Sequence, residues 1–226
     1  MPIDVARIKA VCLDTDGTLR DTDDYYVENV SRLLRPFKWM LPGGEVRPFA
    51  RWIIMRLYVP GNFLMTLQDR LGIDDEIASI MARVRKPRPH TNGQHLQMVA
   101  EADIVLEKLA GKYPLSVVTS RGVRKTMDFL DHNHLTQYFD HVVTALTAER
   151  TKPHPAPIIL AARKMGVTPG ECLMVGDAVV DIKAGKAAGA QTVGVLSGFG
   201  EEKGLRESGA DLILASVAEL PDVLMG

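Results

Sequence analysis

From about residue 100 onward the chain alternates short apolar runs with segments of helical periodicity, and this alternation limits the fold more than any other feature. Leu115-Ser116-Val117-Val118-Thr119, His141-Val142-Val143-Thr144, Cys172-Leu173-Met174-Val175-Gly176, Thr192-Val193-Gly194-Val195-Leu196 and Asp211-Leu212-Ile213-Leu214 read as strands. Residues 123–132, 156–165 and a segment ending at Ala188 read as helices, the last two closed by Gly166 and Gly189. Strands without a polar face, separated by helices, belong to a parallel sheet covered on both sides. Residues 8–13, Ile-Lys-Ala-Val-Cys-Leu, supply a first strand far upstream of the others.

What separates that first strand from the rest is helical throughout. Residues 23–35 have apolar positions at helical spacing, with Asp23, Asp24 and Glu28 early and Arg32 and Arg35 late, which suits the helix dipole. Pro36 should end this helix, and 38–44 should be a loop by its Pro and Gly content. Helical patterns resume at 45–58, 63–71 and 75–86 and stop at Pro87-Arg88-Pro89-His90. The expected fold is therefore α/β. A Rossmann-like parallel-sheet core is built from residues 1–20 and 98–226, and a small all-α domain (21–97) is inserted after strand one.

Composition sets limits on function. A formal net charge of −1 over 226 residues gives no global field for nucleic acid or for a membrane surface. No run approaches the about 18 apolar residues of a membrane span, and the N-terminus has no signal-peptide pattern, so a cytoplasmic protein is expected. Cys12 and Cys172 both fall in predicted central strands and read as buried, inert thiols.

Ligands of open parallel sheets bind beyond the carboxyl ends of the strands. Asp14 and Asp16 follow strand one, Thr119 and Ser120 strand two, and Lys152 the third. Asp177 follows strand four, with Asp181 one helical turn on. So many carboxylates at one edge repel unless a cation neutralises them, and hard oxygen ligands suit Mg²⁺. The lysine and the hydroxyls are then left for an anion beside the metal, and a phosphoryl group fits.

Asp14-Thr15-Asp16-Gly17-Thr18-Leu19 resembles the first motif of the haloacid dehalogenase-like hydrolases. Val118-Thr119-Ser120, Lys152-Pro153-His154-Pro155 and Val175-Gly176-Asp177-Ala178-Val179-Val180-Asp181-Ile182 resemble the second, third and fourth. Gly194 to Gly200 and Gly209-Ala210-Asp211 are similar to the tail of the phosphoglycolate phosphatase-like branch. The resemblance implies Asp14 as the nucleophile that forms an aspartyl-phosphate, and Asp16 as the acid and then the base. It implies Asp14, the Asp16 carbonyl, Asp177 and Asp181 around Mg²⁺, with Thr119, Ser120 and Lys152 at the phosphoryl group. It also makes the helical insert a cap. The implied reaction is hydrolysis of a small, anionic phosphorylated metabolite, phosphoglycolate being nearest. A phosphomutase acting on a phosphosugar is the alternative on the same core, and a non-catalytic regulatory or binding protein the alternative of another class.

Simpler readings compete with some of these. An EF-hand fails, because loop positions five, six and twelve counted from Asp14 hold Thr18, Leu19 and Tyr25. Asp177 alone could be a helix N-cap. In the insert, Arg47 and Arg51 lie four apart on a predicted helix and so share a face, a candidate contact for the substrate's anion.

Overall fold

Every residue of β1 (Ala10–Leu13) is fully buried, because the sheet around it is covered on both faces. The computed structural model describes residues 3–21, 23–41, 45–47, 49–50, 53 and 96–226. Their six parallel strands are β1, β2 (Leu115–Val118), β3 (His141–Val143), β4 (Cys172–Gly176), β5 (Gln191–Val195) and β6 (Leu212–Leu214), in the order β3-β2-β1-β4-β5-β6. This is the α/β, Rossmann-like sheet expected. The strand order reverses between β1 and β4, the place where such sheets bind ligands.

Among the described residues the bounded α-helices are α1 (Asp23–Leu34), α2 (Ala102–Ala110), α3 (Val123–His132), α4 (Ala156–Lys164), α5 (Val179–Ala188), α6 (Glu202–Glu207) and α7 (Leu220–Met225). Side chains alternate across each strand, so β1 serves two cores. Val11 and Leu13 pack with Leu115, Val117, Leu173 and Val175 and with residues of α2, α3 and α7. Ala10 and Cys12 pack with Val118, Cys172 and Met174 and with Ile158, Ala161 and Ala184 of α4 and α5. Small residues on that second face let the helices lie close to the sheet. Each buried leucine or valine contributes about 2 kcal/mol by leaving water.

By its contacts the chain divides into Met1–Asp21 with Leu96–Gly226, and Thr22–His95. In the second unit, α1 stops at Leu34, just before Pro36 as expected. Pro36 occupies the first turn of a 3-10 segment, Arg35–Met40, where a missing N–H costs nothing, so the loop expected from residue 38 begins later. Val46, Arg47, Phe49, Ala50 and Ile53 are helical. The helices expected at 63–71 and 75–86, and Pro87–His90, lie outside the described residues. No helix among the described residues is long and apolar enough to cross a membrane.

Cys12 and Cys172 are free and buried, as expected. Counting back from Asp14 and Asp177 places them three residues out of step, about 10 Å along the strands. The register corrects this: Ala10 pairs with Cys172, so the offset is two residues. The neighbouring Cys172 thiol, followed by burial, raises Cys12 above the ordinary thiol range.

Candidate active site

Parallel pairing carries β1 and β4 to the same edge of the sheet, and the Asp14 N–H donates to the Val175 carbonyl at 2.9 Å. Asp14 and Asp177 thus leave the sheet side by side at the point where its order reverses. Asp181 comes from the first turn of α5, where its Oδ2 accepts the Ala178 N–H at 3.0 Å. That bond makes Asp181 the carboxylate that caps α5. Asp177 instead turns away and accepts the Phe199 N–H at 3.0 Å, so the N-cap reading of Asp177 fails.

Lys152 binds this group together from below. Its buried Nζ lies 2.8 Å from Asp14 Oδ1 and 2.6 Å from Asp181 Oδ1, and donates to the Val118 carbonyl at 2.9 Å. Two carboxylates and a backbone carbonyl thus surround the ammonium group. Burial alone would lower the lysine, but Asp14 and Asp181 outweigh it and hold Lys152 above its ordinary range.

Three buried carboxylates against one lysine leave net negative charge in a poorly solvated place. Burial pushes Asp14 up to about 7, with Asp181 and Asp16 adding to the rise and Lys152 opposing it. Burial, then Asp181 and Asp14, likewise drive Asp177 well above the carboxylate range. Asp14, Asp177 and Asp181 each offer an oxygen within 4.8 Å of the others, so the three could hold a metal ion. The charge imbalance and the hard oxygen donors both fit a divalent cation.

Glycine makes this crowding possible. Gly17 has φ +74°, a conformation that suits glycine, and a Cβ there would overlap the Asp177 carboxylate. Gly198, next to Gly17, presses on the same carboxylate. The two segments are tied, since Ser197 Oγ donates to the Gly17 carbonyl at 2.6 Å. The glycines between Gly194 and Gly200 carry the sequence signal for this wall, though nothing in their spacing says that it closes on Asp177.

Among the other expected residues, Thr119 is buried at the end of β2 and its Oγ1 accepts the Arg121 N–H at 3.2 Å. Ser120 beside it is exposed. Asp16 is half-buried and held by two guanidinium groups that the motifs do not single out. Arg20 Nη1 reaches its Oδ1 at 2.6 Å and Arg121 Nε its Oδ2 at 3.0 Å. Arg47 is exposed, and Arg51 lies outside the described residues.

Residues 11–195 match the sequence profile of the haloacid dehalogenase-like hydrolases. The chain belongs to this family. Within the haloacid dehalogenase-like hydrolases its relatives include phosphatases. The phosphoglycolate phosphatase of Escherichia coli O157:H7 is 35% identical over 232 aligned positions, covering 94% of this chain and 91% of that one. The pyrophosphatase PpaX of Bacillus velezensis is 32% identical over 195, covering 84% and 83%. A haloacid dehalogenase family hydrolase of Deinococcus radiodurans, solved with phosphate and sodium bound, shares the fold at a TM-score of 0.70. Its identity is 23%, and the match covers 97% of this chain and 96% of that one. The chain is thus a phosphatase-type hydrolase.

Proposed function

We propose that this phosphatase is Mg²⁺-dependent and hydrolyses a small metabolite through an aspartyl-phosphate on Asp14. The observation that supports it most is the buried group of Asp14, Lys152, Asp177 and Asp181 at the strand-order reversal. Asp14, Asp177, Asp181 and the Asp16 carbonyl would hold Mg²⁺, which when bound neutralises charge on the carboxylates and on the phosphoryl oxygens.

The chain's own residues supply the remaining steps. Asp14, kept ionised by the cations beside it, attacks phosphorus. Lys152 Nζ, fixed by three acceptors, presents a preorganised positive charge to the transferring group. Thr119 Oγ1 accepts a backbone N–H, which leaves its own proton to donate to a phosphoryl oxygen. Ser120, exposed next to it, lines the mouth. Asp16 protonates the departing oxygen and then takes a proton from the water that hydrolyses the aspartyl-phosphate.

The substrate class follows from what the phosphatase relatives have in common. Phosphoglycolate and pyrophosphate are the substrates that their names state, and each carries a second anionic group a few bonds from the reacting phosphorus. We assign this chain a substrate of the same chemistry, with phosphoglycolate the nearest candidate. The helical insert, 21–97, acts as the cap that chooses it, and Arg47 and Arg51 are its candidate contacts with the second anion.

The test is turnover of a panel containing phosphoglycolate, pyrophosphate and hexose phosphates, with Mg²⁺ and with a chelator. The expected result is phosphate release with Mg²⁺ only, fastest for a substrate with a second anion. Conversion of a hexose phosphate to its isomer without phosphate release would assign the mutase reaction instead. No turnover of any member would overturn the reading.

A further inference from the structure

Arg20 is among the largest fully buried side chains of the protein. A buried guanidinium is costly, and an apolar side chain of similar volume is often at least as stable in such a place. Nor is the charge needed to shape the first motif's loop, which its backbone already closes. Gly17 N–H donates to the Arg20 carbonyl and Arg20 N–H to the Thr15 carbonyl, both at 2.8 Å, and Leu19 N–H to the Thr15 carbonyl at 3.0 Å. Val99 N–H adds a bond to the Leu19 carbonyl at 2.8 Å. The side chain grips Asp16 Oδ1 through Nη1 at 2.6 Å.

The two arginines on Asp16 are not equivalent. Arg20 is 2% exposed and comes from the loop that carries Asp16, whereas Arg121 is 19% exposed and comes from the turn after β2. A substrate can displace the second far more readily than the first. We propose that Arg20 is a positioning residue which fixes the Asp16 carboxylate by Oδ1 and so makes Oδ2 the oxygen that handles the proton. As the P–O bond breaks, the proton on Oδ2 passes to the leaving oxygen, and the attacking water returns one to Oδ2 in the second step. Arg121 lets go of Oδ2 when the leaving group arrives. This inference rests on the reading of Asp16 as the acid and base.

A protonating group matters most when the leaving group is a poor one, so leaving-group dependence separates positioning from general damage. The experiment measures kcat/KM with Mg²⁺ on ethyl phosphate and 4-nitrophenyl phosphate for wild type, Arg20→Met, Arg20→Lys, Asp16→Asn and the Arg20→Met/Asp16→Asn double variant. Arg20→Met should lower kcat/KM about 30-fold on the alkyl ester and within about threefold on the aryl ester. Added to Asp16→Asn, it should have no further effect. Arg20→Lys, which keeps a cation but not the fork, should show the same split at smaller size, and it serves if Arg20→Met fails to fold. Equal losses on both esters, or losses that multiply in the double variant, would overturn the inference and leave Asp16 in its role. Undiminished turnover of ethyl phosphate by Asp16→Asn would instead overturn the role of Asp16 itself, and the inference with it.

Discussion

A Cβ on Gly198 would overlap the carboxylate of Asp177. Position 198 is therefore glycine because no other side chain leaves room, and Phe199 N–H then fixes the carboxylate at 3.0 Å. Gly198→Ala should push Asp177 out of the group it forms with Asp14 and Asp181. Because Gly198 is in a loop after β5, the fold should survive. The expected result is a cooperative melt close to wild type with Mg²⁺ affinity lowered at least about tenfold, the scale on which disturbed ligand orientation acts. Isothermal titration with Mg²⁺ measures it, and unchanged affinity would show that Asp177 is not a ligand.

Asp14→Asn should abolish turnover without unfolding the protein. Lys152 keeps Asp181 and the Val118 carbonyl as acceptors, and an amide oxygen can still face its Nζ. Steady-state hydrolysis by a well-folded variant, with deamidation excluded by mass spectrometry, would remove Asp14 as the nucleophile.

Lys152→Met should damage both activity and stability. It leaves Asp14 and Asp181 as buried carboxylates without their cation, and losing one partner of a buried ionic group costs about 3–5 kcal/mol. Saturating Mg²⁺ should restore part of this stability and little of the rate. Denaturant titrations with chelator and with Mg²⁺ make the comparison, and equal stability of variant and wild type in chelator would contradict the charge balance drawn for the site.

The sheet was legible because its central strands are buried on both faces and are largely apolar, as in Val11 to Leu13 and Leu173 to Val175. Their ends then located Asp14, Thr119, Lys152 and Asp177. The helices α2, α6 and α7 were not legible, and the reason is specific. Their N-cap residues are Glu101, Glu201 and Glu219, none capping its helix through its side chain, so the usual start signal is missing. Arg20 and Arg121 escape notice because an arginine beside a motif reads as solvated. Only the fold shows one of them buried and both on Asp16. The register at Cys172 differs by one residue from the count, since counting back from two motif acids assumes that they leave the sheet level.

Asp211 tests a part of the family-like tail away from the site. Its carboxylate accepts the Thr192 N–H at 2.9 Å, Thr192 Oγ1 at 3.0 Å and Lys186 Nζ at 2.8 Å, joining the start of β6 to β5 and α5. Burial raises its pKa, but these donors prevail and hold it below the ordinary range. Asp211→Ala should cost about 2 kcal/mol, the scale of charge-assisted hydrogen bonds, and leave kcat unchanged. A carboxylate held low in the folded state stabilises above its unfolded pKa and loses that effect as pH falls through the folded one. The gap between variant and wild type should therefore begin to narrow below about pH 4, the ordinary carboxylate value, and close at lower pH. A gap that persists in acid would assign the effect to packing.

At Asp177 the sign is opposite. Burial and the neighbouring Asp181 and Asp14 raise its folded pKa, so between the ordinary carboxylate value and the raised one the folded protein binds more protons than the unfolded chain. Its contribution to stability must then fall as pH rises, so at neutral pH the metal-free protein bears the cost of either ionising this buried carboxylate or holding its proton. Asp177→Asn removes that cost and keeps an oxygen to accept the Phe199 N–H. In chelator the variant should be more stable than wild type at pH 7, with the advantage shrinking towards pH 4. Adding Mg²⁺ should reverse the order at pH 7, because the wild type binds the ion and gains from it by mass action while the variant does not. Thermal melts across pH 4 to 7, with chelator and with Mg²⁺, test both halves. A variant less stable than wild type in chelator at every pH would mean that Asp177 is neutralised within the chain and needs no metal.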